Sequence, residues 1–181
     1  MTQPTLTTTR ATLVPAASED LEPLWTIWRD PDVRRYLFDD QPVPRERAAE
    51  VLDACRAESV HGRGLWTIRE GDTAKTIIGC AGLMPVTWTE YDPGGAGLLE
   101  PIVALAPSSW HRGHAVEALR AVVEYAFGRL DLPRLAGATD VPNDASHRML
   151  TRAGFVAQRE CPGPHYRMRT YLLERPRRTA P

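Results

Sequence analysis

Residues 100–119 read Glu-Pro-Ile-Val-Ala-Leu-Ala-Pro-Ser-Ser-Trp-His-Arg-Gly-His-Ala-Val-Glu-Ala-Leu, and they decide the fold. An apolar run of strand character, Leu98 to Leu105, breaks at Ala106-Pro107-Ser108-Ser109. A tight loop follows, Trp110-His111-Arg112-Gly113-His114-Ala115. Beyond it Ala115, Leu119, Val122, Ala126 and Leu130 recur at steps of three and four, the signature of a helix with one apolar stripe. The first N–H groups of a helix have no intrahelical partner, and the helix dipole adds partial positive charge there. Gly113 removes a side chain where an anion would approach the backbone, and the small Ala115 leaves similar room. Arg112, His111 and His114 add charge to the rim. A strand, a loop and a helix with one glycine also arise for purely structural reasons. By itself the loop leaves that reading, and several kinds of nucleotide binder, open.

Upstream of this segment, Arg10 to Val14 reads as a strand ended by Pro15. Ser18-Glu19-Asp20 opens a helix, with acids in its positive first turn and Leu21, Leu24, Trp25 and Trp28 at helical spacing. Asp30-Pro31-Asp32 breaks that helix, and Val33 to Leu37 forms a short second piece. Pro44 opens a longer helix with Ala48, Val51, Leu52 and Cys55 on one face. Leu65 to Arg69 and Thr76 to Leu83 read as strands around a turn at Glu70-Gly71-Asp72, and Thr87 to Gly97 is a polar loop. Downstream come a strand at Arg134–Thr139, a turn at Pro142-Asn143-Asp144 and a short helix at Ser146–Ala153 closed by Gly154. Phe155–Arg159 and Tyr166–Leu173 are expected as an antiparallel pair, and Arg175–Pro181 as a basic tail. Neither a repeat nor a linker divides the chain. The order of elements predicts one mixed-sheet α/β domain over residues 1–181, with its core at about 10–173.

The chain has 181 residues, enough to bury a core without disulfides or metals. Its formal net charge is -1, which argues against a protein held mainly by nucleic-acid backbone. No run approaches the ~20 apolar residues of a membrane span, and the Thr-rich start lacks a signal-peptide core. Cys55, Cys80 and Cys161 are far apart and lack C-x-x-C spacing, as expected of reduced core thiols in a cytoplasmic protein. His61, His165 and these cysteines show no metal spacing, so no metal is expected. Lys75 is the only lysine and Asn143 the only asparagine, a bias that a GC-rich genome would produce.

The loop resembles the (Gln/Arg)-x-x-Gly-x-(Gly/Ala) acetyl-CoA signature of the GNAT acetyltransferases. Trp110 in first position is similar to the branch containing the ribosomal-protein N-terminal acetyltransferases. The likeness continues through Tyr125-Ala126-Phe127, Asn143-x-x-Ser146 and Ala153-Gly154-Phe155, and upstream through Gly79, Gly82 and Glu100. Several motifs in order, at matching spacing, are far more specific than any one of them. The sole asparagine falls on a motif position, which composition alone would not arrange.

The resemblance implies a GNAT fold: a mixed, mostly antiparallel sheet, splayed at its fourth strand and flanked by helices. It implies acetyl-CoA as co-substrate, with the pyrophosphate on the backbone of His111, Arg112, Gly113, His114 and Ala115 next to Trp110. The pantetheine arm would pair with Val103, Ala104 and Leu105 as an added strand, and a backbone N–H there would polarise the thioester carbonyl. Asn143 and Ser146 would line the far wall, with Ser146 reaching the leaving sulfur. Glu100 stands where the family often has a base. The acceptor would be a primary amine: a protein N-terminus, an amino acid or a small amine. Arg34, Arg35, Tyr36, Asp39 and Asp40 lie in the region expected to contact it, and Trp25, Trp28, Tyr36 and Phe38 in core or groove wall. A homodimer is expected by the same analogy.

Two departures stand out. Leu150 occupies the position where many family members carry a tyrosine general acid, and Pro101-Ile102-Val103 replaces the usual residues after the glutamate. They prompt an alternative reading, a CoA-binding sensor or regulatory module without turnover. A third, more distant reading is an unrelated nucleotide-binding module that shares only the helix-terminus anion site.

Overall fold

The computed structural model describes residues 2–71 and 76–176. Asp72 of the expected turn, Lys75 beyond it, and residues 177–181 of the expected basic tail lie outside the described residues. The strands are β1 (Leu6–Thr7), β2 (Ala11–Pro15), β3 (Gly64–Glu70), β4 (Thr76–Pro85), β5 (Leu99–Leu105), β6 (Arg134–Asp140), β7 (Val156–Cys161) and β8 (Met168–Glu174). The helices are α1 (Leu21–Trp28), α2 (Pro31–Leu37), α3 (Arg45–Ala57), α4 (His114–Gly128) and α5 (Asp144–Arg152).

Strands β1 to β5 form one antiparallel sheet in chain order, and β6-β8-β7 form a second antiparallel sheet. The expected splay is the gap between these sheets: β5 and β6 lie side by side, yet no ladder joins them. The fourth strand of the sequence reading is β5, because a two-residue β1 precedes the first strand expected. Its Leu6 and Thr7 are too short a signal for periodicity to reveal.

Each sheet face has its own core. On one face α4 and α5 bury Leu119, Val122, Leu135, Leu150 and Phe155 with Leu13 and Trp66. On the other, α1 to α3 bury Leu24, Trp28, Leu52, Leu65 and Ala104. Each large aliphatic side chain so removed from water contributes roughly 1.5–3 kcal/mol. The loop after β4 extends this second face, laying Trp88, Tyr91 and Leu98 on Ala136 and Ala138 of β6.

Local chemistry sets several boundaries. Asp30 accepts from the Asp32 N–H at 3.0 Å and Pro31 fills the first turn, so the short piece at 31–37 is a helix in its own right. Helix α5 begins at Asp144, two residues before the expected start, because Asn143 caps it. Leu130 lies past the end of α4 yet still packs on the core. Gly79 permits the close approach of β4 and β5: a Cβ there would stand 2.2 Å from the Ala104 carbonyl oxygen. Cys55, Cys80 and Cys161 are free and buried, and burial pushes the first two thiols up to about 11. Among the described residues no helix is long and apolar enough to cross a membrane. Nor does any group of three His, Cys, Asp or Glu there form a potential metal site.

Candidate functional site

The site grows from β5. The bond from Ala106 N–H to the Ile78 carbonyl (2.9 Å), with the unbroken register Cys80↔Ala104 and Gly82↔Ile102, turns alternate main-chain groups toward β4. The N–H and C=O groups of Val103 and Leu105 therefore face the splay. This is the edge that an added strand would use. Pro101 belongs to the same alternate set, so its missing N–H removes no ladder bond and leaves the direction of Glu100 intact. Its place in β5 is thereby explained. The Leu105 carbonyl is already engaged, accepting from the Trp110 indole at 2.9 Å. Trp110 thus closes the end of the strand edge.

Past that indole the chain turns sharply. His111 has φ +60 and Gly113 φ +88, so two left-handed residues bracket Arg112. Gly113 occupies the N-cap position of α4 in a conformation that L side chains resist. No side chain caps this helix, and the N–H groups of its first turn are left for an incoming acceptor. An uncapped helix start beside a strand edge with outward N–H groups fits the phosphate and amide parts of acetyl-CoA.

The side chains of the loop depart from expectation. Arg112 is not a free rim cation: its guanidinium makes two bonds to Glu70, at 2.6 and 3.3 Å. His114 is buried at 2% exposure, with Nε2 3.2 Å from Glu70 Oε1. Among these expected cations only His111 stays exposed and unengaged. Periodicity gave no sign of Arg10, which approaches from the start of β2, donates to the Arg112 carbonyl at 3.1 Å and pairs with Glu117 at 2.7 Å. Its guanidinium sits 2.6 Å from where a Gly113 Cβ would be.

The opposite side of β5 is built from side chains. Glu100, Ile102 and Ala104 alternate onto the face covered by α1 to α3. Glu100 is half-buried and its Oε2 accepts from the Trp88 indole at 2.8 Å. Burial pushes its carboxyl up to about 7, while the Trp88 bond pulls the other way. Trp88 itself is buried, and a Cβ on Gly95 would strike its ring at 2.7 Å. The loop that carries Trp88 is pinned by buried Asp92, which accepts from Arg159, from Thr170 Oγ1 at 3.0 Å and from the Gly94 N–H at 2.9 Å. Arg159 foremost holds the Asp92 carboxyl down at about 2. Nothing in the loop's polar composition singled out Trp88; only a large aromatic in a Gly- and Pro-containing loop hinted at an anchor.

Across the splay, Asn143 Oδ1 accepts from the Ser146 N–H at 3.1 Å. Asn143 is thus the N-cap of α5 and Ser146 the capped residue, half-buried on the helix's first turn. Leu150 is buried in the core against the face carrying α4. Among the expected acceptor residues, Arg34 pairs with Asp40 at 3.1 Å and Arg35 approaches Asp32 at 3.9 Å, so these charges are spent on each other. Tyr36 reaches across to donate to the Pro142 carbonyl at 3.3 Å, and its ring lies 6.0 Å from Tyr166. Trp28 is core, its ring tilted against Phe38 at 5.9 Å between centroids, and Trp25 donates to the Val43 carbonyl.

Comparison with known proteins bears on this geometry. Residues 10–156 match the family model described as acetyltransferase (GNAT) domain. The chain is 33% identical over 159 residues to an FsC-acetyl coenzyme A-N(2)-transacetylase of Aspergillus fumigatus. That match covers 85% of this chain but 66% of the fungal protein, a little under two thirds of it. An acetyltransferase structure from Agrobacterium tumefaciens shares the fold with a TM-score of 0.81 at 24% identity, covering 97% of this chain and 96% of that one. RimL, a ribosomal L7/L12 alpha-N-protein acetyltransferase solved with coenzyme A, shares it with a TM-score of 0.76 at 14% identity, covering 94% and 98%.

Proposed function

Because the chain belongs to the GNAT acetyltransferase family, we propose that it moves the acetyl group of acetyl-CoA to a primary amine, with Glu100 as the base. The observation that carries this reading is the Glu100 carboxylate. It is half-buried on the acceptor face of β5, with a proton affinity raised to about 7. A base poised near the working pH is both ionised and able to accept a proton.

Acetyl-CoA supplies an activated thioester. The open N–H groups at the start of α4, in the loop His111 to Ala115, would hold its pyrophosphate. The outward N–H and C=O of Val103 and the N–H of Leu105 would pair with its pantetheine amides, and an N–H from this edge would stabilise charge on the carbonyl oxygen. Ala104 presents its own main-chain groups to β4, so its part is the wall beneath the thioester. A neutral amine nitrogen then forms its bond to the acyl carbon, the C–S bond breaks, and the amine's surplus proton passes to Glu100, directly or through water. The thiolate needs little help, since a thiol pKa is about 8.5, and the Ser146 hydroxyl is the donor on that wall. Leu150 lies in the core, which leaves no acid there.

That buried Leu150 is also what favours the second reading, a CoA-binding sensor. The two separate in one assay: CoA release from acetyl-CoA across a panel of amines, with acetyl-CoA binding measured in parallel. Release with any amine above the hydrolytic background supports transfer. Binding without release from any of them supports the sensor.

A further inference from the structure

Asp140, the last residue of β6, is an acid that neither the fold nor the transfer reaction accounts for. The residue is 7% exposed, its carboxylate makes no hydrogen bond or ion pair among the described residues, and its oxygens keep a small contact with solvent. Only its backbone is employed, its carbonyl accepting from the Asn143 N–H at 2.8 Å. Burial and the like charge of Asp39 both raise the affinity of this carboxyl for a proton, and His165 opposes them. A carboxylate largely withdrawn from water and without a protein partner is favoured by an incoming positive group.

Its position ties it to the acceptor. Ala136, Ala138 and Asp140 alternate onto one face of β6, and the two alanines pack under Trp88, Tyr91 and Leu98. Trp88 is the residue bonded to Glu100, so Glu100 and Asp140 belong to the same side of the splayed sheets. At the outer end of that face stand aromatic rings. Tyr36 lies 6.0 Å from Tyr166, and His165 lies 4.3 Å from Tyr166. Aromatic faces beside a carboxylate are suited to an ammonium group. The nearby cation Arg34 is consumed by Asp40, and Arg169 by Glu160, so no protein cation is shown in contact with Asp140.

We infer that Asp140 sets acceptor specificity, receiving a second cationic group of a dicationic amine while the reacting amine stands at Glu100. This rests on the transferase reading and adds the substrate class to it. A neutral or acidic acceptor would leave the carboxylate without that contact, so a second positive charge should be favoured. Asp39, half-buried on the loop after α2, adds a weaker field of the same sign.

The test measures kcat/KM for α,ω-diamines of three to eight carbons against the monoamines of equal length, at fixed acetyl-CoA. At least one diamine is expected to exceed its monoamine by about tenfold or more, as a charge-assisted contact would give. In Asp140→Asn that ratio should fall to near one. In Asp39→Asn it should fall by only a few-fold. Because the ratio is taken on one preparation, a loss of folded protein cancels from it. Transfer to amines with no diamine advantage, or an unchanged ratio in Asp140→Asn, would overturn the inference and leave the transferase reading standing. Absence of CoA release from every amine would overturn that reading and the inference together.

Discussion

The two sides of β5 are made by different means. Toward the splay the molecule offers backbone: the N–H and C=O groups of Val103 and the N–H of Leu105, then the uncapped start of α4 behind Gly113. Toward α1 to α3 it offers side chains gathered from remote segments, Glu100 with Trp88, and Tyr36 with Tyr166. The contrast repeats at the helix starts bordering the splay. Helix α5 is closed by Asn143 Oδ1, whereas α4 has no side-chain cap and stays open. A site made of backbone tolerates most side-chain changes and is sensitive to conformation. A site made of side chains is sensitive to single functional groups.

That difference can be broken or sharpened by mutation. The largest effect is expected from Glu100→Gln, which keeps the shape and the Trp88 bond but removes the base. Turnover should fall by roughly 10²-fold at neutral pH with acetyl-CoA affinity little changed. The same variant has a stability signature. The Glu100 pKa is raised on folding, so its contribution to stability is complete below the ordinary glutamate range and is lost as pH rises through about 7. Glu100→Gln should therefore melt higher than the native protein at pH 8, and the gap should close by pH 4. A lower melting temperature at pH 8 would show that the carboxylate is better solvated than its position implies.

Gly113→Val attacks the backbone side. A β-branched residue at φ +88 is strained by about 1–2 kcal/mol and its Cβ meets Arg10. Acetyl-CoA affinity should weaken by roughly tenfold, measured by calorimetry, while kcat at saturation changes far less. Trp88→Phe is milder. It keeps the ring and removes the N–H that favours ionised Glu100, so the acid limb of the pH–rate profile should move to higher pH. Turnover at pH 7 would fall a few-fold, and an unmoved limb would disconnect Trp88 from the base. Smallest is Asn143→Ala, which removes the α5 cap. It should cost about 1 kcal/mol and lower Tm by about 2–4 °C.

The same contrast explains what the sequence could reveal. The backbone side was legible because a strand, a positive-φ glycine and a helix start must be contiguous, and residues 100–119 contain all of them. Glu100 was legible because it opens that segment. Trp88, Asp140 and Arg10 were not, since each acts through an element far away in the chain and carries no periodic signal. Arg112 shows the complementary failure. Its place in the loop was plain, but its partner Glu70 ends a different strand, and no local pattern could announce that pairing. Asn143 was singled out by its rarity, and its observed contact is the cap of α5.

The central claim is that Glu100 takes the proton of an attacking amine. The direct measurement is CoA release against pH, at saturating acetyl-CoA and amine, for the native protein and Glu100→Gln. The native rate should decline on the acid side of about pH 7, and the variant should be slow at every pH although it binds acetyl-CoA normally. A variant that keeps the native rate and the native acid limb would contradict the account.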